Sequence, residues 1–181
     1  MAKLTPKSAA DGLLPLTVGD VSLTEASTRQ IWSIQPYPGS EAALHDALPN
    51  GFPAPNRTSG KEGARLLWSG RAQAFWIADS APDAALAAHG ALTVQTDAWC
   101  VLRLEGVGSA DALARLTPLD LRPSQFKRGH TARSLVGHMA AQITKLPKGF
   151  EVMVFRSMAG TAVHELQVAM QSVAARRALS N

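Results

Sequence analysis

The sequence predicts an α+β fold built from two βαββα units, and three observations carry that expectation. First, apolar runs of strand character alternate with short helical patterns from Gln30 onward. Second, landmarks recur at a fixed separation: Gly39-Ser40 with Gly108-Ser109, Ala43-Leu44 with Ala112-Leu113, and Pro49 with Pro118 are all 69 residues apart. Third, Phe75-Trp76-Ile77 and Met153-Val154-Phe155 are 78 apart, which leaves about nine extra residues in the second copy's connector. The expected organisation is a polar lead-in over 1–29, a first unit over 30–98 and a second over 99–181, both units sharing one compact domain.

Each element has a local reason. The lead-in holds one short strand pattern, Val21–Leu23. Gln30-Ile31-Trp32-Ser33-Ile34 alternates and reads as a strand. Tyr37-Pro38-Gly39-Ser40 turns the chain, and Ser40 is placed to cap a helix over Glu41–Leu48. Three prolines and Asn50-Gly51 make 49–56 a loop. Ala64–Trp68 and Gln73–Ile77 flank Ser69-Gly70-Arg71-Ala72 as a hairpin. Ser80 and Pro82 suit the start of a helix that ends at His89-Gly90, with a strand at Ala91–Gln95 after it. In the second copy, Trp99–Leu104 is a strand and Gly108-Ser109 opens a helix through Leu116, stopped by Pro118. Leu119–Gly129 is a basic connector. Thr131–Val136 and Phe150–Phe155 are strands, with a third piece at Ala141–Leu146. Thr161–Arg177 is the longest helix, with Val163, Leu166, Met170 and Val173 on one face. The order strand–helix–strand–strand–helix, met twice, is close to a ferredoxin-like split unit.

Composition narrows the function classes. Of 181 residues, 46% are hydrophobic and 18% charged, too apolar a balance for a disordered chain. The single cysteine, Cys100, excludes an intrachain disulfide and a cysteine-built zinc site. The start lacks the apolar core of a signal peptide, and no apolar run approaches a membrane span, so a cytoplasmic protein with no membrane contact is expected.

Several motifs fall short of a chemistry. Lys148-Gly149-Phe150-Glu151-Val152-Met153-Val154-Phe155 overlaps the RNA-recognition strand pattern, but Glu151 and Val152 stand where a small residue and a stacking aromatic are needed. The segment reads as a core-facing strand, and no nucleic-acid partner is expected. The five histidines form no H-x-x-x-H pair and have no cluster of acidic or cysteine ligands. There is no G-x-S-x-G, and Cys100 lies in an apolar strand as a small hydrophobe. Gly106-Val107-Gly108 is explained by a tight strand-to-helix turn. No catalytic, cofactor-binding or metal residues are therefore assigned.

Charge is uneven. The net charge is +4, yet Leu121–Phe150 holds Arg122, Lys127, Arg128, Arg133, Lys145 and Lys148 with no acidic residue, and the rest of the chain has 12 basic against 14 acidic. Such a patch fits a local anionic contact. Arg122, Lys127, Arg128 and Arg133 are the candidate interface residues, against the competing account of a solvated loop. Arg122 beside Pro123 is expected to be the more buried of them, unless it pairs internally with Asp120.

From Trp99 to Met170 the residues resemble the gamma subunit of heterotetrameric sarcosine oxidase. The likeness runs through Val101-Leu102-Arg103-Leu104-Glu105-Gly106, Leu113-Ala114-Arg115-Leu116 and Pro118-Leu119-Asp120-Leu121-Arg122-Pro123-Ser124. It continues in Gly129-His130, Arg133, Gly137-His138-Met139, Val152-Met153-Val154-Phe155-Arg156-Ser157, Ala159-Gly160-Thr161 and His164-Glu165-Leu166. The resemblance implies a non-catalytic subunit with the folate-binding fold of the glycine-cleavage T-protein. It would act beside alpha, beta and delta subunits that demethylate sarcosine oxidatively. FAD, FMN, NAD and tetrahydrofolate are then expected on those other subunits and no cofactor on this chain. T-proteins hold a pterin through an acidic side chain on the strand after the connector. The matching stretch, Met139–Lys145, has no carboxylate and offers only Gln142 or Thr144. The alternative function is a stand-alone folate or one-carbon-binding protein.

Overall fold

Strand segments rich in β-branched and aromatic residues pair here into two antiparallel sheets. The computed structural model describes residues 5–26, 29–61 and 63–179. The strands are β1 (Leu16–Val18), β2 (Val21–Glu25), β3 (Gln30–Pro36), β4 (Thr58–Lys61), β5 (Ala64–Gly70), β6 (Gln73–Ala78), β7 (Gly90–Val94), β8 (Trp99–Gly106), β9 (Thr131–Val136), β10 (Met139–Leu146) and β11 (Gly149–Phe155). The six-stranded sheet has the order β1-β2-β8-β11-β10-β9, and the five-stranded sheet β4-β5-β6-β3-β7. Read from β9 and from β4, the orders β9-β10-β11-β8-β2 and β4-β5-β6-β3-β7 coincide slot for slot. The fifth slot is filled from opposite directions in the chain: β7 follows its unit, whereas β2 precedes both.

Three helices, α1 (Glu41–Ala47), α2 (Ser109–Leu113) and α3 (Ala159–Ala178), complete the α+β architecture. Side-chain alternation sorts the apolar residues into three layers. Phe150, Val152 and Val154 of β11 pack with Leu102, Leu104, Leu113, Leu166 and Met170, a core between the six-stranded sheet and α2 and α3. Ile34, Leu66 and Ala74 pack with Leu44 and Leu48 under α1. Between the sheets, Ile31, Leu67, Phe75 and Ile77 meet Trp99 and Met153. β11 is thus buried on both faces through Val154, which is why its sequence is a near-continuous apolar run.

Several local details differ from the sequence reading. Residues 84–88 form a 3₁₀ turn capped by Asp83, whose carboxylate accepts from the Ala85 N–H at 2.9 Å. Ser80 is not the cap, because Pro82 disfavours helix at the residue before it; the Ser80 carbonyl instead accepts from Trp76 Nε1. α2 ends at Leu113, and the coil continues to Leu116 through tighter i→i−3 bonds from Arg115 to Ala112 and Leu116 to Leu113. Ser40 precedes α1 without a side-chain capping bond. β1 and β4 are additions: one is three residues long, the other a polar edge strand. At the β8–α2 junction, Gly106 has φ +114° and lies against the Asp20 carbonyl, where a Cβ has no room.

Candidate functional site

The inter-sheet layer is apolar in its middle and charged at one end. At that end lies a cavity of about 630 Å³, lined by Ile31 and Ile77 from one sheet and Trp99, Val101, Arg103 and Glu151 from the other. Glu151 is only 2% exposed. It faces this layer because it shares the Met153 side of β11, and the β11–β8 register sets it opposite Arg103. Arg65 of β5 reaches across from the second sheet and hydrogen-bonds Glu151 Oε1, while Arg103 Nε lies 3.9 Å from Oε2. One buried carboxylate therefore sits between two guanidiniums from different sheets.

The N-terminal segment forms part of the wall. Glu25, at the end of β2, accepts from the Ala9 and Ala10 N–H groups at 3.0 and 3.1 Å, and Arg156 donates to the Lys7 carbonyl. Cys100 lies 3.9 Å from Glu25 Oε1. Burial, reinforced by the Glu25 charge, pushes its thiol up to about 12, so it stays protonated and inert at neutral pH. Thr96 is committed to the Ile31 backbone. Such an array suits recognition of charge better than proton transfer.

Sequence reasoning passed over Glu151 as a negative mark against RNA. The signal was present all the same: one carboxylate inside an apolar strand, and an arginine inside the apolar run Val101–Leu104. A charge within a buried strand requires a partner.

The basic connector is placed differently from this cluster. Leu121 and Phe126 are buried and anchor it. Arg122, expected to be the more buried candidate, has a side chain 75% exposed and forks onto Asp120, with Nε 2.9 and 3.0 Å from the two carboxylate oxygens. The internal pair is what forms. Hydrogen bonding from Arg122 holds the Asp120 carboxyl below the usual carboxylate range. Lys127 and Arg128 are exposed. Arg133, on β9, lies with its guanidinium 5.1 Å from the Trp99 ring centre and 5.9 Å from that of Phe155. These four residues thus occupy two places, the connector and the rim of the inter-sheet layer. His130, at the connector's end, is held below the ordinary histidine range by loss of water and by Arg57 and Lys127.

The polar residues aligned with the pterin-binding stretch are hydrogen-bonded within the protein, although Gln142 Oε1 is buried with no partner among the described residues. Gln142 Nε2 donates to the Trp68 carbonyl at 2.9 Å and to Thr131 Oγ1 at 2.6 Å, and Thr131 and Thr144 share a 2.8 Å hydrogen bond. Gln142 and Thr144 are buried, and neither lines the cavity. Gln142 ties β10 to β5, and Thr144 ties it to β9.

Two antiparallel sheets packed face to face, with helices on their other sides, define an α+β protein with a charged cavity between the sheets. No family model matches the chain, and no curated protein matches it. Among solved structures, it is similar to a chain of the heterotetrameric sarcosine oxidase from Corynebacterium sp. U-96 in complex with pyrrole 2-carboxylate. The two share 23% identity with a TM-score of 0.81, over 93% of this chain and 96% of that one. The likeness is one of fold. Among the described residues, no helix is long and apolar enough to cross a membrane.

Proposed function

We propose that this chain is the gamma subunit of a heterotetrameric sarcosine oxidase, a non-catalytic component that supports oxidative demethylation of sarcosine to glycine by its partners. The observation that carries this reading is the near-complete superposition. Since 93% of one chain matches 96% of the other, the match takes in a whole subunit of similar length and not a domain within a larger one. The slot-for-slot strand order supports the further reading of two ferredoxin-like units in a T-protein-like fold. On this reading FAD, FMN, NAD and tetrahydrofolate belong to the alpha and beta subunits, and delta completes the assembly in the cytoplasm.

The connector is the proposed contact with an acidic partner surface. Lys127 and Arg128 carry most of it, since Arg122 already holds Asp120 and Arg133 lies over aromatic rings. Co-expression with alpha, beta and delta subunits tests the proposal. The chain is expected to copurify with them in equal proportion and, alone, to be colourless and inactive on sarcosine. The Lys127→Ala/Arg128→Ala variant is expected to assemble more slowly at low salt, as for rim charges. A chain that stays apart from the other three subunits, or that alone binds tetrahydrofolate stoichiometrically, overturns the assignment.

A further inference from the structure

Residues 5–15 belong to no strand or helix, and Pro6, Lys7, Ser8 and Ala9 form part of the wall of the inter-sheet cavity. Of this segment only Ala10 is buried, in the core cluster that also holds Cys100. With no sheet ladder and one buried methyl group, the segment depends on polar ties. Among the described residues three hydrogen bonds supply them, and each joins its backbone to a charged side chain of the body. The Ala9 and Ala10 N–H groups donate to the two oxygens of Glu25 at 3.0 and 3.1 Å, and Arg156 donates to the Lys7 carbonyl. The 2.9 Å ion pair of Lys7 with Asp11 lies within the segment and does not tie it down. Glu25 Oε1 is also 3.9 Å from Cys100 Sγ, so the tie stands beside the thiol.

The segment also has room to move. A second hollow, of about 290 Å³, is lined by Ser8, Ala10 and Asp11 of the segment and by Thr24 and Glu25 of the body. At Gly12 the backbone takes φ +75°, and a side chain there would meet nothing within 4 Å. Open space at a residue with free dihedrals is where a hinge can turn. We infer that residues 5–11 are a strap, hinged at Gly12 and latched by Glu25 and Arg156, that gates the inter-sheet cavity. Closed, the strap completes the cavity wall and shields Cys100. Open, it uncovers both. The inference does not depend on the proposed subunit role, since every contact comes from this chain.

Two thiols report on the two sides of the strap. Cys100 is the only cysteine of the chain, and Val101→Cys in a Cys100→Ala chain places one on the cavity wall. Their reaction with an anionic aromatic disulfide, DTNB, is followed at pH 8 in the full chain. Arg156→Gln removes one latch. With the strap still shut, this change slows the reaction, because Arg156 offsets part of the upward push on the Cys100 thiol and attracts the anionic reagent. Both thiols are instead expected to react at least about tenfold faster, the loss of one charge-assisted hydrogen bond. Ala9→Pro removes a donor to Glu25 without altering any charge and is expected to act in the same direction. Amide exchange in β11 is expected to stay as slow as in the parent chain, since the core remains closed. Where the Val101→Cys chain fails to fold, acrylamide quenching of Trp99, taken by difference from Trp99→Phe, reports cavity access in its place. The inference is overturned if either latch variant leaves Cys100 as slow as in the parent chain, if Cys100 speeds up while the cavity-wall reporter does not, or if the β11 amides lose protection in step with the thiols.

Discussion

Arg65 and Arg122 each hold a carboxylate, and their surroundings are opposite. Arg65 reaches from one sheet to Glu151 in the other, in a layer where Glu151 is nearly out of water. Arg122 folds back on Asp120 two residues away, in an exposed connector. The chemistry of the two pairs is the same, so burial alone sets what each contributes. A charge left behind in the buried layer has no water to turn to, whereas a charge left behind in the connector is solvated at once.

The largest effect expected from that contrast is at the buried pair. Arg65→Ala removes the guanidinium that hydrogen-bonds the buried Glu151 carboxylate, leaving Arg103 at 3.9 Å, and is expected to cost about 3–5 kcal/mol in urea denaturation of the isolated chain. Replacing both members, Arg65→Met with Glu151→Leu, should recover much of that loss, because the buried carboxylate is removed together with the guanidinium that hydrogen-bonds it. A single-variant loss as small as that of a surface pair would mean that water reaches Glu151 freely, and the contrast between the two sites would vanish.

Next in size are the two helix anchors. Leu44 of α1 and Leu113 of α2 stand 69 residues apart and are both fully buried, one against each sheet. Truncation to alanine at either is expected to cost about 2–5 kcal/mol. Leu113 should sit toward the upper end, since it is enclosed by α3 as well as the larger sheet and its surroundings have less freedom to collapse. Equal losses would show that the short α1 closes its core as tightly as α2 and α3 close theirs.

These anchors also mark what the sequence made legible. The 69-residue spacing found equivalent positions because helix burial depends on local periodicity, and Leu44 and Leu113 each carry that signal alone. The face of α3 was legible for the same reason: Val163, Leu166, Met170 and Val173 are all buried. β1 and β4 were not, because Leu16-Thr17-Val18 is too short for a period and Thr58-Ser59-Gly60-Lys61 is polar. Their existence depends on partners distant in the chain. The cavity was illegible as a whole. Arg65, Arg103 and Glu151 are brought together by sheet register and by the packing of two sheets, and no local spacing encodes either. Arg122 was legible in part: a neighbouring proline suggested burial, but the alternative of a pair with Asp120, two residues earlier, is what forms.

A smaller effect is expected where the sheets are joined by neutral groups. Gln142 links β10 to the Trp68 carbonyl of β5 and to Thr131. Gln142→Leu leaves the Thr131 hydroxyl and the Trp68 carbonyl short of a donor, and a loss of about 1–3 kcal/mol is expected in the same denaturation assay. That places a neutral cross-sheet tie below the charged one. An equal or larger loss would make the hydrogen-bond network, and not the Arg65–Glu151 pair, the principal polar link between the sheets.

The smallest effect is expected at the exposed pair, and its pH dependence gives the contrast its sharpest test. In the folded chain the Asp120 carboxyl sits below the usual range because Arg122 donates to it. Folding therefore favours the ionised form. Any stability from this pair is present above the ordinary carboxylate range and is lost as pH falls through the depressed folded value. Both groups are open to solvent, so salt screens the interaction and the contribution at neutral pH is slight. Arg122→Ala removes the fork but spares the 3.1 Å bond from the Arg122 backbone N–H to Asp120 Oδ1. The connector should keep its turn and the urea midpoint at pH 7 should not move measurably. The Asp120 carboxyl signal, followed by ¹³C NMR from pH 2 to 6, should titrate higher than in the parent chain, toward the ordinary aspartate range. Asp120→Ala removes the turn bond as well and should loosen the connector more than Arg122→Ala does, visible as faster amide exchange over residues 121–129. If Arg122→Ala instead destabilises the chain as strongly as Arg65→Ala, exposure in the isolated chain is a poor guide to the connector, and its arginine is a structural element of the fold.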